Sequence, residues 1–291
     1  TPRLRALARR VGSAGSAAIV VSDITRPCPT YRFLPLLLAE LEAIPAERIS
    51  ILFALGSHRR HTEEERRRLV GDAVATSYRC LDLDEHDCVW LGSTSRGTPL
   101  EVFRPYVEAD LRICTGNLEY HYFAGYSGGA KAVMPGICSR SAIQPNHSMM
   151  LDPAARAGIL RGNPVRDDID EAGGLVGIDF ILNVVLDERK FIVDAVAGHY
   201  LQAHAEGVRR YDELYDVRID SPADIVVASP GGSPKDINLY QAQKTLDNVR
   251  GAVRQGGTII LVAQCAEGFG EETFEAWMAD METVSYTHLT L

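Results

Sequence analysis

No C-x-x-C pair occurs among the six cysteines (Cys28, Cys80, Cys88, Cys114, Cys138, Cys265), which are scattered along the chain. This argues against a disulfide scaffold and for reduced thiols in a cytoplasm. Cys28, Cys114 and Cys138 lie near the motif loops described below, and they are read as small core residues. No stretch reaches the ~18 apolar residues of a membrane span. The opening TPRLRALARR has no apolar signal core after it. No basic patch interleaved with aromatics is present, and the net charge is −9, which together exclude a nucleic-acid binder. The one dense basic run, residues 66–69, follows EEE at 63–65 and reads as a solvated helix face with pairs at helical spacing. There is no H-E-x-x-H and no Cys/His cluster, so a conventional zinc site has too few ligands in any local block. A phosphate-binding P-loop is also missing. In the window GYSGGAKA from Gly125, Ala130 replaces the last glycine and Ala132 the magnesium-binding hydroxyl. No internal repeat or low-complexity segment is evident. What remains is an ordinary globular composition, 46% hydrophobic and 24% charged, in 291 residues that allow one large domain or two modest ones.

The chemistry concentrates between Gly116 and His147, in GNLEYHYFAGYSGGAKAVMPGICSRSAIQPNH. A lysine, Lys131, follows two glycines and one small residue, where the backbone can approach a ligand closely. His121 and His147 flank it, and histidine is the side chain most used as metal ligand and as acid/base near neutral pH. Lysine suits covalent or electrostatic anchoring, because its pKa falls readily on desolvation. Blander roles exist for each: His121 as a partly buried histidine bonded to backbone, His147 as a cap or core residue near a helix start.

Short β-rich runs alternate with helical patterns, which predicts an α/β fold with a largely parallel sheet. Strands are expected at residues 17–22, 49–55, 109–115 and 179–186. The first three are each followed by a polar motif: Asp23–Arg26, then His58, then Asn117–His121. In open α/β sheets ligands bind beyond the carboxyl ends of strands, so these loops can share one crevice. A second unit is expected from about Ser221, with strands at 223–232 and 257–264 around a helix at 239–253. The predicted organisation is two α/β domains, residues 1–220 and 221–291, with the active site in the cleft between them. Gln241 and Lys244 are three apart and share one helix face, which would look across that cleft. Arg26 offers a planar fork that matches a carboxylate, while Asp23 could also be only a turn or cap. Thr62 followed by Glu65 forms a capping box, so His61 is read as pre-helix structure. His86, His199 and His204 are read as structural or surface residues. Asp167 and Asp168 are read as the acidic first turn of a helix.

Four blocks, SDITRP at 22–27, GSHRRHT at 56–62, the glycine-rich run and YQAQK at 240–244, resemble the nickel-pincer lactate racemase family in order and spacing. The resemblance covers most of the chain and implies a racemase or epimerase acting at C2 of a 2-hydroxy acid. It implies nickel held in a pyridinium-3,5-bisthiocarboxylate mononucleotide pincer, linked through a thioamide to Lys131, with His147 as the protein's nickel ligand. The two catalytic histidines fall on His58 and His121. Asp23, Ile24, Thr25, Arg26, Gln241 and Lys244 become cofactor-binding positions, with Arg26 and Lys244 also facing the substrate. A cofactor that brings most of its metal's ligands removes the shortage noted above, and its sulfur donors suit square-planar nickel. The implied partners are a small 2-hydroxy acid and, transiently, cofactor-synthesis enzymes, with no nucleic acid and no membrane, for a cytoplasmic monomer or homodimer. Family members start earlier and continue further, and the tail VSYTHLTL does not resemble them. The chain is therefore expected to be truncated at both ends, with a foreign tail after about Thr283. Two alternatives stay open: a zinc-type hydrolase or lyase with His58, His121 and His147 as ligands, and a non-catalytic cofactor-binding protein.

Overall fold

Strands whose two faces are both apolar need cover on both sides, and this chain supplies it. A computed structural model describes residues 2–270 and 272–279, so the tail beyond Thr283 lies outside the described residues. The chain divides into two units. The first runs through Leu214 apart from Thr25–Pro27, and the second takes Thr25–Pro27 and the chain from Tyr215 onward.

The first unit contains β1 (Ala17–Ser22), β2 (Ile49–Ala54), β3 (Arg79–Asp82), β4 (Cys88–Ser93), β5 (Pro99–Phe103), β6 (Leu111–Leu118), β7 (Tyr120–His121), β8 (Gly125–Tyr126), β9 (Phe180–Leu186) and β10 (Ile192–Gly198). Six of these form one sheet in the order β10-β9-β6-β1-β2-β3. All neighbours are parallel except β10, which pairs antiparallel with β9. The fold is thus α/β with a mostly parallel sheet. Alternate residues of β1 feed opposite cores. Ala18 and Val20 join the side built with the helices Arg140–Ser148 and Pro164–Val176. Ala17, Ile19 and Val21 join the side built with the helices Pro2–Val11 and Thr30–Ala39. This explains the unbroken apolar runs of the central strands.

The chain leaves β1 toward β2 and β3, then returns to β1's other side through β6. The carboxyl ends of β1, β2 and β6 therefore flank a point where strand order reverses, the usual place for a ligand in such sheets. β6 runs three residues beyond its expected end, because Gly116, Asn117 and Leu118 continue the pairing with β9.

The second unit holds β11 (Ala223–Ala228) and β12 (Val253–Leu261), paired in parallel. The expected helix over 239–253 is instead two short helices, Leu239–Ala242 and Lys244–Val249, followed by a 3₁₀ turn. β12 starts four residues earlier than expected. Its register shifts across Gly256 and Gly257, the former at φ +76° and the latter with no room for a Cβ beside the Asp224 carbonyl. Glycine here makes a bulge rather than a boundary. All six cysteines are free thiols, and among the described residues no helix is long and apolar enough to cross a membrane.

The helix Tyr200–Tyr215 shows how tightly the unit is packed. A Cβ built on Gly207 would lie 2.4 Å from Leu118 and 2.7 Å from Val196. Alanine is the better helix former by about 1 kcal/mol, but overpacking costs typically 1–3 kcal/mol. Gly207→Ala is therefore expected to destabilise, lowering the urea midpoint at constant m-value. A raised midpoint would show that Leu118 and Val196 yield without cost.

Candidate functional site

Loops leaving parallel strands expose backbone polar groups, and each loop here is held by a buried side chain. Asp23 follows β1 and is buried. Its Oδ2 lies 2.6 Å from His58 Nδ1, on the loop after β2. His58 Nδ1–H donates a hydrogen bond to this carboxylate, which leaves the neutral imidazole's lone pair on Nε2, the arrangement of an oriented general base. His61 is spent on structure, as its place before the helix suggests. Its Nε2 accepts the Ile24 N–H at 3.1 Å, so its Nδ1 must donate, and it does so to Asp82 Oδ1 at 2.7 Å. Arg66 and the His61 backbone N–H share the other Asp82 oxygen. The helix Glu63–Val70 begins with the Thr62–Glu65 capping box in both directions. The loop carrying Asp23 and Ile24 is thereby braced from β3.

After β6 the glycine-rich run is pinned at successive residues. Ser127 Oγ accepts the Glu119 N–H at 2.9 Å and donates to the Asn117 carbonyl at 2.8 Å. His204 Nε2 donates to the Ser127 carbonyl at 2.8 Å. Asn183 on β9 accepts the Gly129 N–H at 2.9 Å. Gly128 and Gly129 have φ of +75° and +61°. A Cβ on Gly128 would meet Leu118 and Asn183, and one on Gly129 the His204 ring, all within 2.9 Å. Only glycine fits this path. It delivers a tight turn, Gly129–Ala132, that bears the half-buried Lys131. The Gly56 N–H, two residues before His58, bonds to the Gly136 carbonyl at 2.9 Å, so the β2 loop and the Met-Pro-Gly turn are tied together.

His121 ends β7 and is buried. The Ala124 N–H donates to its Nδ1 at 3.2 Å. Its ring stacks on Tyr122 and meets the edge of Phe123 at 4.6 Å. Phe123 in turn packs against His147 at 4.9 Å, so one phenyl ring separates the two histidines. His147 lies in the last turn of the helix Arg140–Ser148, half-buried, with Nδ1 3.2 Å from Asn146 Oδ1. The start of the helix Pro164–Val176 clamps the loop between them. Asn163, its cap, donates to the Phe123 carbonyl at 2.8 Å. The fully buried Arg166 donates to the carbonyls of Ala124 and Tyr126.

The reading of Asp167 and Asp168 as an acidic first turn holds for Asp167 only. Asp168 points inward, is fully buried, and binds Thr94, Thr98 and Asn146. Asn163, Arg166, Asp168, Asn183 and His204 all escaped sequence reasoning as site supports. Only the Asn-Pro helix start around Asn163 carried a local signal.

In the second unit Gln241 is buried and Lys244 half-buried. Their heads bond, Nζ to Oε1, at 2.5 Å, with the ammonium 5.7 Å from the Tyr240 ring centroid. They share a face although the helix breaks between them at Gln243. The D-x-T-R motif is divided. Asp23 and Ile24 belong to the first unit, and Thr25 and Arg26 to the second.

Comparison with known proteins gives consistent matches. Residues 3–158 match the family model of the lactate racemase N-terminal domain, and residues 219–289 that of the lactate racemase C-terminal domain. The lactate racemase of Thermoanaerobacterium thermosaccharolyticum is 38% identical over 286 residues, covering 96% of this chain and 66% of that protein. The lactate racemase of Lactiplantibacillus plantarum is 38% identical over 271 residues, covering 91% and 63% respectively. The chain thus spans just under two thirds of the length of these relatives. The lactate racemase apoprotein structure from T. thermosaccharolyticum superposes with a TM-score of 0.88 at 37% identity, over 97% of this chain and 68% of that one. A Thermotoga maritima protein of known structure shares the fold, with a TM-score of 0.74 at 23% identity over 88% of this chain and 68% of that one.

Burial, then the Arg166 charge, push the His204 imidazole down to about 3 against its bond to Ser127. An unfolded histidine titrates near 6.5. The unfolded state therefore binds the extra proton first as pH falls, and stability present above about 6.5 is lost progressively toward about 3. The expected contribution to the slope is about 1.4 kcal/mol per pH unit within that window. Urea unfolding of His204→Gln, which keeps a donor for Ser127, should show a shallower acid dependence than the natural chain. Equal slopes would mean His204 is protonated in the fold.

Proposed function

We propose that this chain, which belongs to the lactate racemase family, inverts the hydroxyl-bearing C2 of a lactate-like 2-hydroxy acid. The observation that carries the reading is the Asp23–His58 pair beside β1, with His121 and the Lys131 turn leaving the adjacent strand β6. An inversion needs a proton acceptor on each side of the carbon, and these strand ends supply two histidines on separate loops.

The residues fit a nickel-pincer cofactor. Lys131 stands half-buried on the turn that the Gly128–Gly129 path delivers, and its primary amine suits covalent or electrostatic attachment. His147 supplies one imidazole from the neighbouring helix. Lys131 would attach the group and His147 would ligate its nickel. When bound, it supplies the hydride acceptor that protein side chains lack. Arg26, with Lys244, would hold the substrate carboxylate, and Gln241 would add a neutral donor. Asp23, Ile24 and Thr25 complete the cofactor loop.

The two bases differ at rest. His58 keeps its lone pair on Nε2, because Nδ1 donates to Asp23. Its buried carboxylate also stabilises the imidazolium formed when His58 takes the C2 hydroxyl proton. In neutral His121 the proton sits on Nε2, because Nδ1 accepts the Ala124 N–H. His58 thus begins as a proton acceptor, and neutral His121 as a hydrogen-bond donor toward a substrate oxygen. The zinc alternative loses support: among the described residues no three His, Cys, Asp or Glu side chains are grouped to hold a metal ion. The natural setting of this activity is a cytoplasm containing cofactor-synthesis enzymes, with the protein a monomer or homodimer.

Two experiments on protein co-expressed with those enzymes test this. Intact mass should reveal a covalent adduct that Lys131→Ala loses together with racemisation, and an adduct mapped to another lysine would overturn the anchor. His58→Ala, His121→Ala and Asp23→Asn should each slow racemisation by roughly 10²–10⁴-fold while retaining cofactor. Following cofactor absorbance with single enantiomers, the two histidine variants should fail on opposite enantiomers. Equal behaviour toward both would remove the two-base assignment.

A further inference from the structure

We infer that Asp168 and Asn146 are positioning residues for His147, holding its proton on Nδ1 and its lone pair on Nε2. The inference deepens the proposed function, since it rests on His147 being the protein's donor to nickel. It begins at a residue far from the sequence motifs. Asp168 is fully buried and accepts hydrogen bonds from Thr94 Oγ1 at 2.5 Å, Thr98 Oγ1 at 2.8 Å and Asn146 Nδ2 at 2.8 Å. The two threonines belong to the turn joining β4 and β5, closed by the Thr94 N–H to the Thr98 carbonyl at 2.9 Å.

Each link dictates the next by donor and acceptor chemistry. A carboxylate only accepts, so Asn146 must turn its NH₂ toward Asp168. The same NH₂ meets the Val165 carbonyl at 3.3 Å, a second pure acceptor, which fixes the amide orientation. Asn146 Oδ1 then faces His147 Nδ1 at 3.2 Å. An amide oxygen cannot donate, so the hydrogen must be on Nδ1. A neutral imidazole protonated there has its lone pair on Nε2, the form a metal requires. Ligating histidines are commonly fixed in this way by an outer hydrogen-bond partner. Here the partner is an amide that a buried carboxylate holds in one orientation.

A purely architectural role explains only part of this. Tying the β4–β5 turn to the helix Pro164–Val176 needs the two threonine bonds and no asparagine. Asn146 is itself fully buried, and an apolar residue there would avoid the cost of desolvating an amide.

The test reads the tautomer directly. In cofactor-free protein labelled with ¹⁵N-histidine, the His147 signals, assigned by their loss in His147→Gln, should show Nδ1 protonated. Asn146→Ala should relax this to a mixture of tautomers, and Asp168→Asn, which leaves only the Val165 carbonyl at 3.3 Å to orient the amide, should weaken the preference. Far-UV circular dichroism of both variants checks the fold, and the isosteric Asp168→Asn keeps the test open if Asn146→Ala does not fold. In cofactor-loaded protein challenged with a chelator, both should retain nickel about 10–100-fold less tightly. An Nε2-protonated His147 in the natural chain, or an unchanged tautomer in both variants, overturns the inference. So does full nickel retention in both variants when His147→Gln loses nickel. Full retention in His147→Gln instead removes His147 as the nickel donor, and the tautomer result then stands or falls separately.

Discussion

A buried polar group left without a partner costs about 1–3 kcal/mol, and that penalty shapes every loop of this site. The loops leave β1, β2 and β6 at the carboxyl edge of the sheet, where strand pairing no longer satisfies the backbone. Side chains from elsewhere take over. Asn183 receives the Gly129 N–H, His204 covers the Ser127 carbonyl, and Asn163 and Arg166 cover the carbonyls around His121. Remove the supports and His121 and the Lys131 turn lose their positions.

The histidines show how this accounting distributes function. His61 and His204 are buried, with ring nitrogens committed to fixed partners, and they act as struts. His58, His121 and His147 each commit Nδ1 to a different partner: a carboxylate, a backbone N–H and a side-chain amide. Those partners set which nitrogen carries the proton, so three chemically identical residues divide into two resting forms, His58 and His147 protonated on Nδ1 and neutral His121 on Nε2. The donor, acceptor and ligand of the proposed function would thus follow from neighbours rather than from residue type.

Much of the architecture was legible. β1 and β2 were visible as apolar runs bounded by polar motifs, and a sheet covered on both faces explains why those runs are continuous. The glycine-rich run announced itself because glycine is the residue most at ease at the left-handed φ values found at Gly128 and Gly129. Boundaries were less legible where glycine does unusual work. Gly256 lies outside the expected strand but inside β12, and the segment around Gln243 reads as one helix but is two. Asp168 misled for a related reason. Placed at the second turn of an amphipathic helix, it has the local pattern of an exposed acid, and nothing nearby reveals the two threonines 74 and 70 residues upstream.

Local sequence settled most of the elements, because periodicity, capping and backbone permissiveness are properties of a few neighbouring residues. The Thr62–Glu65 cap, the SGGAK turn and the motif after each strand are of this kind. Tertiary structure decided the partners. Asp23 with His58, Phe123 between His121 and His147, Arg166 under the His121 loop and Asp168 behind Asn146 join residues 22 to 42 positions apart or bring separate elements to one ring. Hydrogen bonds act over about 3 Å in space, so which proton sits on which nitrogen became readable only once the chain had folded.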